Sequence, residues 1–213
     1  MGVTFDKERQ QFVFDFEHDG VDDLVQLTGD GYQVEAFGKC FYYGYEFSEQ
    51  VDGTVRTAFI KHVKFTESLQ DNPDLTQFIK KAVDNLNRRI NLYDYNLVVM
   101  PESSSKVNQY MLRYIYRFAQ PKLCKYKEIV TDVKDEQLCA SIRQQNILIM
   151  DDVTTSGSTL NEILRTLRIL NEDNEITIFS LIGRKDLMVE QCRNVKSSLK
   201  EPQLSIVVPP KVC

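Results

Sequence analysis

Tryptophan is absent from the 213 residues, and histidine occurs only twice, as His18 and His62. Two histidines so far apart in sequence propose no shared site, no motif supports Ser-His-Asp or Cys-His nucleophilic catalysis, and His62 reads as a structural residue within a strand. The five cysteines, Cys40, Cys124, Cys139, Cys192 and Cys213, are odd in number and form no C-x-x-C pair. That spacing argues against a cysteine zinc site or a disulfide framework and suits free thiols in a reducing compartment. No apolar run approaches the ~20 residues that cross a bilayer, and the acidic N-terminal stretch has no apolar signal segment. A soluble, cytoplasmic protein is therefore expected, with no membrane partner. Basic residues are outnumbered, 26 Lys and Arg against 31 Asp and Glu, for a net charge of −5. That balance makes nucleic acid unlikely as the main ligand. No glycine is followed at the right interval by a Gly-Lys pair, which excludes a Walker loop.

What the chain does have is a 42% hydrophobic content, ample for a packed core, and one stretch on which the rest is organised. Asn146 to Leu160 reads NILIMDDVTTSGSTL. Four apolar residues, Ile147 to Met150, lead to the adjacent carboxylates Asp151 and Asp152. Val153 and Thr154 follow, then Thr155, Ser156, Gly157, Ser158 and Thr159. Beyond them, Leu160, Ile163, Leu164, Leu167 and Leu170 recur at helical spacing. A short unalternating apolar run suits a strand buried on both faces of a parallel sheet. The Thr/Ser/Gly run suits a tight loop entering a helix, where backbone N–H groups, four hydroxyls and the helix dipole favour an anion. The acids repel a phosphate, so they face something else: a sugar diol or a divalent cation. A ribose 5-phosphate group satisfies both halves.

In its order of four apolar residues, two acids and a hydroxyl-rich loop, this stretch resembles the phosphoribosyl pyrophosphate (PRPP) signature of type I phosphoribosyltransferases. The continuation Thr159-Leu160-Asn161-Glu162 looks most like the ComF-type branch. The resemblance implies an α/β fold with a doubly wound parallel sheet, capped by a variable hood that selects the acceptor. It implies that Asp151 and Asp152 hold the ribose diol and serve catalysis. Thr154, Thr155, Ser156, Gly157, Ser158 and Thr159 would bind the 5-phosphate. Mg²⁺ would arrive bound to PRPP, either with no direct protein ligand or with contact to Asp151 and Asp152, and a small-molecule acceptor would be the second substrate.

The remaining segments are placed around that centre. Residues 1–70 read as a β-rich lobe, the hood candidate, and 71–213 as the PRPP-binding core. Phe12, Phe14 and Phe16 alternate with polar neighbours as in a half-buried strand. KCFYYGYEF and TVRTAFIKHVKF are expected as two strands of a hairpin turning at Asp52-Gly53. The aromatic cluster Phe41 to Phe47 is either sheet core or a lid that stacks on a planar acceptor. Asn72-Pro73-Asp74 predicts a helix start, continued by an apolar stripe from Leu75 to Ile90. Leu97 to Met100 reads as a buried strand. In the family the loop after this first core strand contacts pyrophosphate, so the resemblance assigns Glu102, Ser103, Ser104, Ser105 and Lys106 to that role. A helix follows, with Val107, Met111 and Ile115 among its apolar positions.

Leu123 to Val133 is expected to hold the next strand. Lys122, Lys125 and Lys127 either reach pyrophosphate or line a solvated edge. Asp135 to Gln145 reads as a short helix. Glu175 to Ile182 is a further buried strand, and Arg184 and Lys185 at its end are acceptor-side candidates or a solvated turn. Leu204 to Val208 closes the set. Strand–helix alternation from about residue 73 to 185 supports a parallel doubly wound sheet. Between Gln120 and Gln145 no long Gly/Ser/Arg-rich flap is found, a departure from the family. The expected activity is transfer of ribose 5-phosphate from PRPP to a nitrogenous acceptor with release of pyrophosphate. The alternative is a PRPP- or nucleotide-binding regulatory module with little turnover. A homodimer or a heteromeric complex fits either.

Overall fold

The computed structural model describes residues 2–17, 23–28, 32–34, 39–48, 50–101, 105–118, 122–125, 142, 144–170 and 173–184. The expected strand at Leu204 to Val208, Lys127, most of the helix expected over Asp135 to Gln145, and much of the Leu123 to Val133 segment lie outside these residues.

One nine-stranded mixed sheet carries the fold. Its strands are β1 (Gly2–Asp6), β2 (Gln11–Asp15), β3 (Val25–Leu27), β4 (Tyr32–Val34), β5 (Lys39–Phe47), β6 (Leu97–Met100), β7 (Lys122–Lys125), β8 (Asn146–Thr154) and β9 (Glu175–Gly183). They run in the order β2-β1-β3-β5-β9-β8-β6-β7, with β4 beside β5. The five from β5 to β7 in that order are mutually parallel. The first four pair antiparallel. The sheet is continuous across residue 70, because β5 pairs with β9 from Cys40↔Thr177 to Glu46↔Gly183.

The segment TVRTAFIKHVKF is not a strand, and there is no hairpin at Asp52-Gly53. It forms helix α1 (Gly53–Phe65), with Asp52 as its N-cap accepting from the N–H groups of Thr54 and Val55. The spacing of Val55, Phe59 and Val63 at four-residue intervals is helical, and it prevails over the β-branched composition. Phe59 and Val63 are buried. His62 accordingly lies on a helix, against the rings of Phe12 and Phe59.

Helix α2 (Pro73–Arg89) starts as expected, with Asn72 Oδ1 accepting from Leu75 N–H at 3.1 Å and Pro73 at the first helical position. Helix α3 (Lys106–Ile115) and helix α4 (Ser158–Leu170) complete the set. Gly44 lets α2 press onto β5: a Cβ there would stand 2.6 Å from Ala82 Cβ and 2.9 Å from the Leu181 carbonyl oxygen. Below it Tyr45 stacks on Phe78, centroids 3.6 Å apart, and its hydroxyl donates to the Phe78 carbonyl at 3.0 Å. Phe41, Tyr43, Tyr45 and Phe47 are all buried, so this aromatic cluster is core.

Alternate residues of β8 serve opposite faces. Leu148 and Met150 join the core under α1, α2 and α3, while Ile147 and Ile149 join the core under α4 with Leu160, Ile163, Leu164 and Leu167. The chain passes from β6 through α3 outward to β7, returns to β8 on the other side of β6, and proceeds through α4 to β9. Successive crossovers therefore run in opposite directions from the β6/β8 boundary. Right-handed connections then place their helices on opposite faces, as α3 and α4 are. Among the described residues no helix is long and apolar enough to cross a membrane.

Candidate functional site

Ligands of open α/β sheets settle outside the carboxyl ends of the strands where the winding reverses, here between β6 and β8. Strand β8 reaches past its apolar run and includes Asp151, Asp152, Val153 and Thr154. Its pairing with β9 continues through Asp151↔Ser180 to Thr154↔Gly183. Ser180, fully buried, fixes this end: its hydroxyl oxygen accepts from Thr154 N–H at 3.1 Å and donates to the Ile182 carbonyl at 2.8 Å.

The chain leaves the strand at Thr155, turns through Ser156 and Gly157, and enters α4 at Ser158. Gly157 has φ 73°, in the left-handed region that favours glycine. Ser158 and Thr159 are the first two helical residues and, with Thr155, are exposed. Ser156 Oγ lies 3.2 Å from Ser158 Oγ. The expected loop is thus three residues long, and the other two hydroxyls stand on the opening turn of the helix, where unpaired N–H groups and the dipole favour an anion.

The two aspartates are adjacent in an extended strand, so their side chains leave on opposite faces. Asp151 Oδ1 accepts from the Asp152 N–H at 2.9 Å, and Asp152 Oδ1 from the Val153 N–H at 2.6 Å. Burial, and next the charge of Asp152, push the Asp151 carboxyl up to about 7, against the opposing pull of Lys64. Asp152 is 1% exposed and meets Lys64 of α1, Nζ to Oδ1 3.8 Å. Its Oδ2 and the nearby Thr154 Oγ1 are buried with no hydrogen-bond partner among the described residues. Two buried oxygens left in that state cost stability, and they suit a ligand that brings hydroxyl donors or a cation.

Lys64 escapes a sequence reading of the site, since it belongs to the segment that reads as a strand. The available signal was the four-residue apolar spacing of α1, which fixes the helical phase of that segment.

The second loop is partly described. Register Val99↔Ile149 sets the exit of β6 level with the aspartates. Glu102, Ser103 and Ser104 lie outside the described residues. Ser105 caps α3, its Oγ accepting from Val107 N–H at 3.2 Å and Asn108 N–H at 3.4 Å, and it is buried. Lys106 is exposed on the first turn. Arg184 directly follows β9, half-buried, and Lys185 lies outside the described residues.

No protein-family profile matches the sequence, and no curated protein matches it. Solved structures do. One is a hypoxanthine-guanine-xanthine phosphoribosyltransferase, 14% identical, TM-score 0.37, covering 53% of this chain. Another is an HGPRT-ase from Leishmania tarentolae in complex with GMP, 15% identical, TM-score 0.34, covering 52% of this chain. The chain spans 64% and 66% of the lengths of these two proteins.

Proposed function

We propose that this chain transfers ribose 5-phosphate from PRPP to a nitrogenous acceptor, a nucleobase or a similar compound, with release of pyrophosphate. The observation that carries the reading is the turn at Thr155–Thr159, with Thr155, Ser158 and Thr159 exposed, leading from a buried acid pair into α4 at the point where the winding reverses.

In this arrangement the 5-phosphate rests on the turn and the first N–H groups of α4, and Gly157 allows the backbone to come close. Asp151 and Asp152 accept from the ribose hydroxyls. Pyrophosphate extends toward the loop of Glu102 to Ser105, with Lys106 as its cation. An acceptor nitrogen lone pair attacks C1 as the C1–oxygen bond breaks, and pyrophosphate departs with that electron pair. The ring carries positive charge at the transition state, and an ionised carboxylate beside it stabilises that charge. Positioning supplies much of the remainder.

Mg²⁺ favours oxygen ligands and keeps several waters. The aspartate oxygens and the orphaned Asp152 Oδ2 fit such an ion, which when bound neutralises the leaving pyrophosphate. Among the described residues no cluster of three or more side-chain metal ligands is gathered, so its other ligands would come from PRPP and water. Residues 1–70 would form the acceptor-side hood of the 71–213 core, with Arg184 and Lys185 beside the acceptor. Work in the cytoplasm on nucleotide metabolism would follow from such chemistry.

Pyrophosphate release from PRPP and Mg²⁺ across purines, pyrimidines and nicotinamide-like acceptors tests the reading. Release with one acceptor class, abolished in Asp151→Asn/Asp152→Asn but with PRPP binding retained, is the expected result. Absence of PRPP binding by calorimetry overturns it. A second reading, a PRPP-binding regulatory module, draws on the near-complete burial of Asp152 and its existing pairing with Lys64. Binding without release on every acceptor selects that alternative.

A further inference from the structure

From residue 103 to residue 127 the sequence carries six Lys or Arg and no Asp or Glu, in a chain whose net charge is −5. Three of these cations, Lys106, Arg113 and Arg117, lie with Tyr110 and Tyr114 along one stripe of α3 and its exit turn, at i, i+4, i+7, i+8 and i+11. The stripe forms one wall of a groove of about 640 Å³, closed on the other side by the segment joining α1 to α2. That volume lies within the range of small-molecule sites, roughly 300–1,000 Å³. Glu67 is the one acid of its lining, against three cations. Among the described residues no carboxylate pairs with Lys106, Arg113 or Arg117.

Arg113 stands in the last turn of α3 and Arg117 on its exit turn, two like charges four residues apart. The groove also holds one of them in place. The Arg117 guanidinium sits 4.8 Å from the Tyr114 ring centre, and the Tyr114 hydroxyl donates to Asp84 Oδ1 at 3.0 Å. Phe118 meets the Tyr114 ring edge-on at 5.7 Å. A cation fixed in this way loses little freedom when it binds an anion. Leu69, Pro73 and Tyr110 add apolar surface between the charges, which a bare polyanion would not need.

We propose that this groove is a second ligand site, for a small molecule that joins an aromatic ring to a phosphate chain, of the nucleoside polyphosphate class. The phosphates lie against Arg113 and Arg117, and the ring against Tyr110. The groove is on the α3 face of the sheet, away from α4 and its opening turn. Lys106 lies at one end of the groove. The proposal holds whether or not the chain turns over PRPP.

Titration calorimetry of the full chain with ATP, GTP and inorganic tripolyphosphate tests it. A nucleotide is expected to bind the full chain more tightly than tripolyphosphate. The variant Arg113→Gln/Arg117→Gln is expected to bind it at least about tenfold more weakly per arginine lost. Both side chains are exposed, so an unchanged melting curve accompanies the loss. Gln109→Glu, which adds an acid to the same stripe, weakens binding too, while Asp151→Asn/Asp152→Asn leaves it intact. PRPP affinity is unchanged in the double arginine variant. No nucleotide binding at millimolar concentration, equal affinity for tripolyphosphate, unaltered binding in the arginine variant, or one-for-one competition with PRPP would each overturn the assignment.

Discussion

Asp151 is a carboxyl group whose ordinary value, 3.8, is raised to about 7 by burial and by its neighbour Asp152. The folded chain thus keeps a proton that the unfolded chain has released across the interval between those values. Stability from this group falls as pH rises through that interval and stays lower above it. His62, lowered by burial, acts in the opposite sense, but it does so equally in a variant. The difference in melting temperature between Asp151→Asn and the parent chain is therefore expected to grow in favour of the variant from pH 4 to pH 8. A constant difference would mean that Asp151 does not titrate in that window.

Lys64 offers a second test at this scale. It is 39% exposed while its partner is 1% exposed, so Lys64→Met is expected to cost on the order of 1 kcal/mol, by denaturant titration, rather than the several associated with a fully buried pair. The aspartates and the hydroxyl turn were legible in the sequence because they are consecutive. Lys64 was not, because it stands 88 residues before Asp152 and no spacing rule links the two.

Helices and strands show where local pattern is sufficient. Asn72 and Pro73 announce α2 through capping chemistry, and Asn72→Ala is expected to lower stability by ~1 kcal/mol. The same logic was available for α1, where Asp52 stands three residues before Val55. The Asp-Gly pair and the β-branched residues of TVRTAFIKHVKF suggest a hairpin instead. Three apolar residues at four-residue intervals were the truer signal, since periodicity decides which face is buried while β propensity is a weak preference. Nothing in the sequence tells that Gly44 is a contact point. A methyl group there meets Ala82 and the Leu181 carbonyl, so Gly44→Ala is expected to cost ~1–3 kcal/mol. A neutral result would mean that α2 can lift from β5 without penalty.

Across the molecule, strand order is the part that no local pattern reveals. The alternation of strands and helices from about residue 73 predicts a parallel sheet, and the sheet is there. Sequence gave no hint that β5 would join it, because its partner β9 lies 137 residues away at Cys40↔Thr177. The shared sheet predicts that residues 1–70 and 71–213 unfold together. Hydrogen exchange on the full chain should find β5 and β9 amides protected to the same free energy, and a separate early opening of β5 would contradict this.

The placement of β5 also governs how the chain is made. On a ribosome, nine residues rich in buried aromatics emerge well over a hundred residues before the strand that covers their free edge. Through that interval an apolar ribbon stands open to any other extended chain. β3 and β4 cover only the opposite edge of β5, so its safe passage calls for a holding factor, and the yield of native protein should depend on translation speed between Phe47 and Glu175.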